Sequence, residues 1–215
     1  MPTRSRSDQL HSLLRTASII PVVTIDHAEQ GVPLARALVA GGLNLIEITL
    51  RTPAALDAAR AIIQEVPEAI VGIGTALKPD DLKQAESLGA QFVLSPGAEP
   101  ELLAAAASSR VPFIPGIATA SELMAALKFG FDTVKFFPAG AAGGIPALKA
   151  LSGPFPHVRF CPTGGIDSTN AKEWLSLSNV LAVGGSWICP PADMTNKAWD
   201  RITARAREAL AAVSS

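Results

Sequence analysis

"IVGIGTALKPDDLKQAESLGAQFVLSPG", residues 70–97, reads as strand, helix, strand. "IVGIGTA" (70–76) and "FVLSPG" (92–97) are short apolar runs that end in turn-forming or polar residues, and "KPDDLKQAESLGA" between them has helical spacing. Two strands joined through a helix run parallel, because a tight hairpin is not available to them.

The same unit recurs on both sides. The apolar runs "IIPVVTI" (19–25), "LIEITL" (45–50), "VPFIPGI" (111–117), "TVKFFPA" (133–139), "RFCPTGG" (159–165) and "VLAVGGSW" (180–187) bring the strand candidates to eight. They start about 19–26 residues apart, a spacing that suits strand plus helix. "GVPLARALVAG", "TPAALDAARAIIQEV", "PELLAAAASSR", "TASELMAALKFG" and "DSTNAKEWLSL" read as further helices. Thr52 is expected to cap the one that starts with Pro53, and Thr119 and Glu122 form a capping-box pattern. Residues 7–16 are expected to add a leading helix, and 195–213 a closing one. Eight strand–helix repeats predict α/β architecture, best fitted by a single (β/α)8 barrel domain over 1–215 with an extra N-terminal helix. An open doubly wound sheet is the alternative, against which the eight regular repeats and the lack of a GxGxxG turn argue.

Composition agrees. Of 215 residues, 48% are hydrophobic and 17% charged, enough apolar material for a sizeable core. Lys plus Arg number 18 and Asp plus Glu 19, so there is no basic footprint for nucleic acid or an anionic membrane. The uncharged stretch 174–192 is broken by Gly184, Gly185, Pro190 and Pro191 and does not read as a membrane helix. "MPTRSRSDQLHSLLRT" has no apolar segment of the signal-peptide kind. Cys161 and Cys189 form no CxxC pair and read as reduced, buried thiols of a cytoplasmic protein.

Side chains alternate across a strand. In "LIEITLR" Ile46, Ile48 and Leu50 are expected to meet the helices, which turns Glu47, Thr49 and Arg51 into the barrel. A structural reading is an internal Glu47–Arg51 ion pair. In "TVKFFPA" Lys135 points inward if Phe136 meets the helices. Strands two and six are both even-numbered, so Glu47 and Lys135 fall in one layer of the barrel. They are either a structural salt bridge or a reactive pair. A desolvated amine can attack a carbonyl to form a Schiff base, and a neighbouring carboxylate can move the protons. "PTGG" (162–165) and "GGS" (184–186) close the last two strands, where barrels often bind phosphate through backbone N–H groups. They are otherwise simple turns. Asp26 and His27 read as a helix cap rather than a metal site, Cys161 as a structural thiol, and Trp174, Trp187 and Trp199 as packing residues.

Together "EITLRT", "VGIGT", "SPG", "IPGIATASEL", "VKFFPA", "GPF", "RFCPTGGI" and "GGSW" resemble the class I aldolases of the KHG/KDPG family, which cleave 2-keto-3-deoxy-6-phosphogluconate (KDPG) to pyruvate and glyceraldehyde 3-phosphate. The resemblance implies a phosphorylated keto acid as substrate, a homotrimer, and no metal or organic cofactor. It makes Lys135 the Schiff-base lysine and Glu47 the general acid/base. It gives Arg51 and Thr75 to the substrate carboxylate, and Pro96 and Phe137 to the walls around the pyruvyl group. Thr163 would bond a substrate hydroxyl or carboxylate, and Gly164, Gly165 and Ser186 would form the phosphate end. Ala118 stands where the family pattern leads one to expect Ser, and "PAGAAGG" is less polar than expected. Relatives acting on the galactose-configured sugar or on 4-hydroxy-2-oxoglutarate share the lysine and glutamate, so those two residues do not separate these substrates. A phosphosugar isomerase or epimerase, or a non-catalytic phosphate-binding barrel, would share the phosphate site without an imine.

Overall fold

The computed structural model describes residues 6–214. The opening residues 1–5, on which part of the signal-peptide reading rests, and residue 215 lie outside the described residues, as do these ends of the domain expected over 1–215.

Each of the eight apolar runs contains parallel strand. β1 (Ile19–Val23), β2 (Leu45–Thr49), β3 (Ile70–Gly74) and β4 (Phe92–Leu94) pair in chain order. The fifth run is interrupted at Pro115, which has no N–H for a ladder. It therefore gives two short strands, β5 (Phe113–Ile114) and β6 (Gly116–Ile117). β7 (Thr133–Phe136) and β8 (Arg159–Phe160) follow, then β9 (Val183–Gly185). One sheet has the order β5-β4-β3-β2-β1-β9 and the other β6-β7-β8. Parallel bridges Phe160↔Val180 and Thr163↔Gly184 tie the β8 segment to the β9 segment. The result is a mixed α/β fold of curled parallel strands with helices outside them.

α1 (Arg6–Ala17) leads the chain, and α2 (Gly31–Ala40), α3 (Ala55–Glu65), α4 (Pro79–Leu88), α5 (Pro100–Ser108) and α6 (Ala120–Lys128) fill the expected intervals. The α6 capping box forms: Glu122 N–H donates to Thr119 Oγ1 at 3.3 Å, and Thr119 N–H donates to Glu122 Oε2 at 2.9 Å. Thr52, however, does not cap α3. Its hydroxyl donates to the Ile25 carbonyl instead, and the helix starts at Ala55. After the lysine strand and "PAGAAGG" (138–144) comes α7 (Gly144–Ser152), a helix not among those expected. Gly143, Gly144 and Pro146 obscured its start, and the two glycines adopt φ of 101° and 65°. α8 (Ala171–Leu175) is short. The closing helix is divided into α9 (Pro191–Thr195) and α10 (Trp199–Ser214), joined by Asp193 pairing with Arg201 and Arg205 at 2.6 and 2.8 Å.

The core has two parts. Ile46 and Ile48 pack with Leu34 and Leu38 of α2 and Ala58 and Ile62 of α3 in the layer between strands and helices. Ile20, Leu45, Phe92, Leu94, Ile114 and Cys161 form the inner cluster with Leu10 and Leu14 of α1. α1 therefore covers the N-terminal strand ends. Polar side chains collect toward the opposite end. No helix among the described residues is long and apolar enough to cross a membrane.

Candidate active site

Lys135 lies on β7 and Glu47 on β2, both turned inward by strand alternation. Nζ of Lys135 sits 2.9 Å from Oε1 of Glu47, with side-chain exposures of 5% and 1%. Burying two charges this deeply costs several kcal/mol per ion before their attraction is counted, by the general magnitude for such pairs (~several kcal/mol). The pairing leaves Oε2 of Glu47 without a hydrogen-bond partner among the described residues. A carboxylate holding an amine through one oxygen, with the other unengaged, can accept a proton from a third group.

Glu47 fits because its neighbour across the sheet is glycine. Thr49 is in register with Gly74, and a Cβ on Gly74 would collide with the Glu47 carboxylate. The expected alternative of a Glu47–Arg51 ion pair is not formed. Arg51 lies beyond the end of β2, is exposed, and makes no ion pair among the described residues. Strand curvature brings Glu47 to Lys135 while Arg51 remains at the rim.

Phe137 is half-buried, and its ring centroid lies 5.4 Å from Lys135 Nζ, so an aromatic face adjoins the amine. Cys161 belongs to the same interior. Burial pushes its thiol up to about 12, Lys135 pulls it down and Glu47 pushes it up. The thiol is thus a neutral filler beside the charged pair. Cys189 is also free and buried, with burial pushing its thiol up to about 12.

Thr75 directly follows β3 and adopts φ of 63°. A β-branched residue in the left-handed region is strained, typically by about 1–3 kcal/mol, and such strain clusters at functional sites. Pro96 is half-buried, and Gly116 approaches its backbone so closely that a Cβ there would overlap it. The nearby Gly116 N–H donates to the buried Ser95 Oγ at 3.2 Å.

Thr163 is 4% exposed and bridges to Gly184, whose missing Cβ leaves room for the Thr163 hydroxyl. Gly164 and Gly165 follow with φ of 94° and 74°, a turn that other residues adopt only with strain. Ser186 follows β9 directly and is exposed. The two glycine motifs are therefore neighbours, through the Thr163↔Gly184 bridge. Two polar residues at this end were not singled out from the sequence, Ser95 and Thr24, the latter with Oγ1 3.0 Å from Thr49 Oγ1. Thr24 shares the inward-facing phase of β1, a signal the alternation rule contained, whereas the role of Ser95 depends on the break at Pro115.

The remaining singled-out residues are structural. Trp174 packs on Phe136 with ring centroids 6.4 Å apart. The His27 N–H donates to Gln30 Oε1 at 3.2 Å in a short helical turn. A cavity of about 180 Å³ lined by Leu10, Phe113, Phe129 and Phe131 opens at the α1 end.

Comparisons with known proteins converge on one family. The family model described as "KDPG and KHG aldolase" matches residues 10–205. The chain is 51% identical over 199 residues to the KHG/KDPG aldolase of Escherichia coli (strain K12), covering 93% of each chain. It is 49% identical over 203 residues to the 2-dehydro-3-deoxy-phosphogluconate aldolase of Dickeya dadantii, covering 94% of this chain and 95% of that one. The crystal structure of a KDPG aldolase from Legionella pneumophila, with pyruvate captured at low pH as a covalent carbinolamine intermediate, superposes with a TM-score of 0.89 at 47% identity. That match covers 92% of this chain and 96% of the other. With the family model spanning nearly its whole length and relatives at about half identity, this chain belongs to the KDPG/KHG aldolase family.

Proposed function

We propose that this protein is a class I aldolase, a carbon–carbon lyase that cleaves KDPG to pyruvate and glyceraldehyde 3-phosphate. The observation that carries the reading is the buried 2.9 Å contact between Lys135 and Glu47. The Lys135 amine attacks the C2 carbonyl, and loss of water gives an imine. Glu47 accepts the C4 hydroxyl proton. The C3–C4 bond breaks, its electron pair moves into the protonated imine, and glyceraldehyde 3-phosphate leaves. The resulting enamine takes a proton at C3, and water then releases pyruvate and the free amine.

Arg51 and the strained Thr75 hold the substrate carboxylate in this reading, and Pro96 and Phe137 wall the pyruvyl group. Thr163 bonds a substrate oxygen. Gly164, Gly165 and Ser186 take the phosphate, a role that the left-handed glycines and their proximity to β9 support. 4-Hydroxy-2-oxoglutarate is a second substrate by the same chemistry, giving pyruvate and glyoxylate. We take the strands to close as one (β/α)8 barrel domain over 1–215 with α1 as an added helix, the chain to assemble as a homotrimer, and the enzyme to work in the cytoplasm without metal or organic cofactor.

Incubation with pyruvate and borohydride tests the central claim. The expected result is one reduced pyruvyl adduct, on Lys135 by peptide mass spectrometry. An adduct elsewhere, or none, refutes the mechanism. Light scattering at the mass of one 22.3 kDa chain would refute the trimer.

A further inference from the structure

Thr24 follows β1, at the open end of the strands. Ile19, Val23 and Ile25 belong to the cluster between strands and helices, whereas Ile20 belongs to the inner one. Thr24 has the inward phase. Its Oγ1 is 3.0 Å from Oγ1 of the fully buried Thr49, the residue between Glu47 and Arg51 on the inward face of the β2 segment.

The hydrogens of this pair can be assigned. Thr49 Oγ1 donates to the Val23 carbonyl at 2.9 Å, and a carbonyl can only accept. A hydroxyl has one hydrogen, so Thr24 must donate to Thr49. What Thr24 Oγ1 then presents to a ligand is acceptor capacity alone. An acceptor repels carboxylate and phosphate oxygens and suits a hydroxyl donor.

Position narrows the choice. β1 pairs with β2, which carries Glu47, and with β9, which leads to Ser186. Thr24 therefore stands on the wall between the proton-transfer residue and the proposed phosphate end. The KDPG hydroxyls lie on C4 and C5, and the C4 hydroxyl is committed to Glu47 by the cleavage. We propose that Thr24, oriented by Thr49, accepts a hydrogen bond from the C5 hydroxyl, the one next to the phosphate-bearing carbon. Thr24 thereby selects hydroxylated aldehyde products and acceptors. This inference rests on the aldolase reading above.

The test runs the reaction in the condensation direction, with pyruvate and either D-glyceraldehyde 3-phosphate or 3-phosphooxypropanal, which lacks that hydroxyl. The readout is the ratio of kcat/KM for the two aldehydes. A neutral hydrogen bond corresponds to a preference of about 3–10-fold for the hydroxylated aldehyde. Thr24→Val should lower the ratio by about that factor, and Thr24→Ser should restore it. An unchanged ratio, or equal losses on both aldehydes, overturns the assignment. Turnover of neither aldehyde by the parent enzyme overturns the aldolase reading and this inference together, a result distinct from a flat ratio in an active enzyme.

Discussion

Gly74 lies so close to Glu47 that its lack of a side chain is what leaves space for the carboxylate. The proposed proton-transfer group is thus positioned by a residue that takes no part in the chemistry. Gly74→Ala should push Glu47 off Lys135 and lower kcat at least about 10-fold, a fraction of the 10²–10⁴-fold typical of general acid–base catalysis. Glu47→Gln, which keeps the shape, should cost about the full 10²–10⁴-fold. Both should still form the pyruvate adduct on Lys135. Steady-state kinetics with parental rates in Gly74→Ala would show that the carboxylate has other room.

Lys135 and Glu47 should also be coupled in stability. Lys135→Met leaves a buried carboxylate unpaired, and Glu47→Leu leaves a buried ammonium unpaired. Each should destabilise by about 3–5 kcal/mol in urea titration. The double variant should lose clearly less than the sum, because no orphaned charge remains. The two variants that lack Lys135 should be inactive. Additive losses would mean that the two charges do not stabilise each other in solution.

Ser186→Ala removes one hydroxyl from the proposed phosphate end. A hydrogen bond to a charged group is worth about 1.5–3 kcal/mol, so kcat/KM for KDPG should fall about 10–100-fold. Cleavage of 4-hydroxy-2-oxoglutarate, which has no phosphate, should change little. Equal losses on both substrates would assign Ser186 a general supporting role.

The buried thiols give an alkaline prediction. Burial favours the neutral form, raising Cys161 and Cys189 from the ordinary 9.0 to about 12. The folded chain therefore holds these protons over a pH range where the unfolded chain has released them. Their contribution to stability is complete below about pH 9 and is lost as pH rises toward about 12. Urea midpoints should fall across that window, and iodoacetamide at pH 8 should label both thiols only in denaturant. Rapid labelling of Cys161 in the folded protein would contradict its burial.

Much of this was legible in the chain. Alternation in "LIEITLR" and "TVKFFPA" put Glu47 and Lys135 on inward faces, because a strand obliges every second residue to face one way. It could not tell which cation Glu47 meets, since that depends on curvature. Arg51 is only four residues away in sequence yet remains exposed, whereas Lys135 is 88 residues away and in contact. The Thr52 cap failed for a similar reason, as the hydroxyl found a distant carbonyl at Ile25. The left-handed turn at Thr75 has no local signal, because threonine is not a residue that favours it.

The pairing of β1 with both β2 and β9 has a consequence for synthesis. β1 finds β2 early, through Val22 and Val23, but its other edge, at Ile19, waits for Val183, near the far end of the chain. Until the ribosome has released that segment, an apolar strand edge has unpaired N–H and C=O groups, the kind of surface onto which other chains add. The nascent protein is therefore most vulnerable to aggregation late in translation. Truncation just before "VGGS" should yield insoluble product, where shortening the chain within the final helix should not.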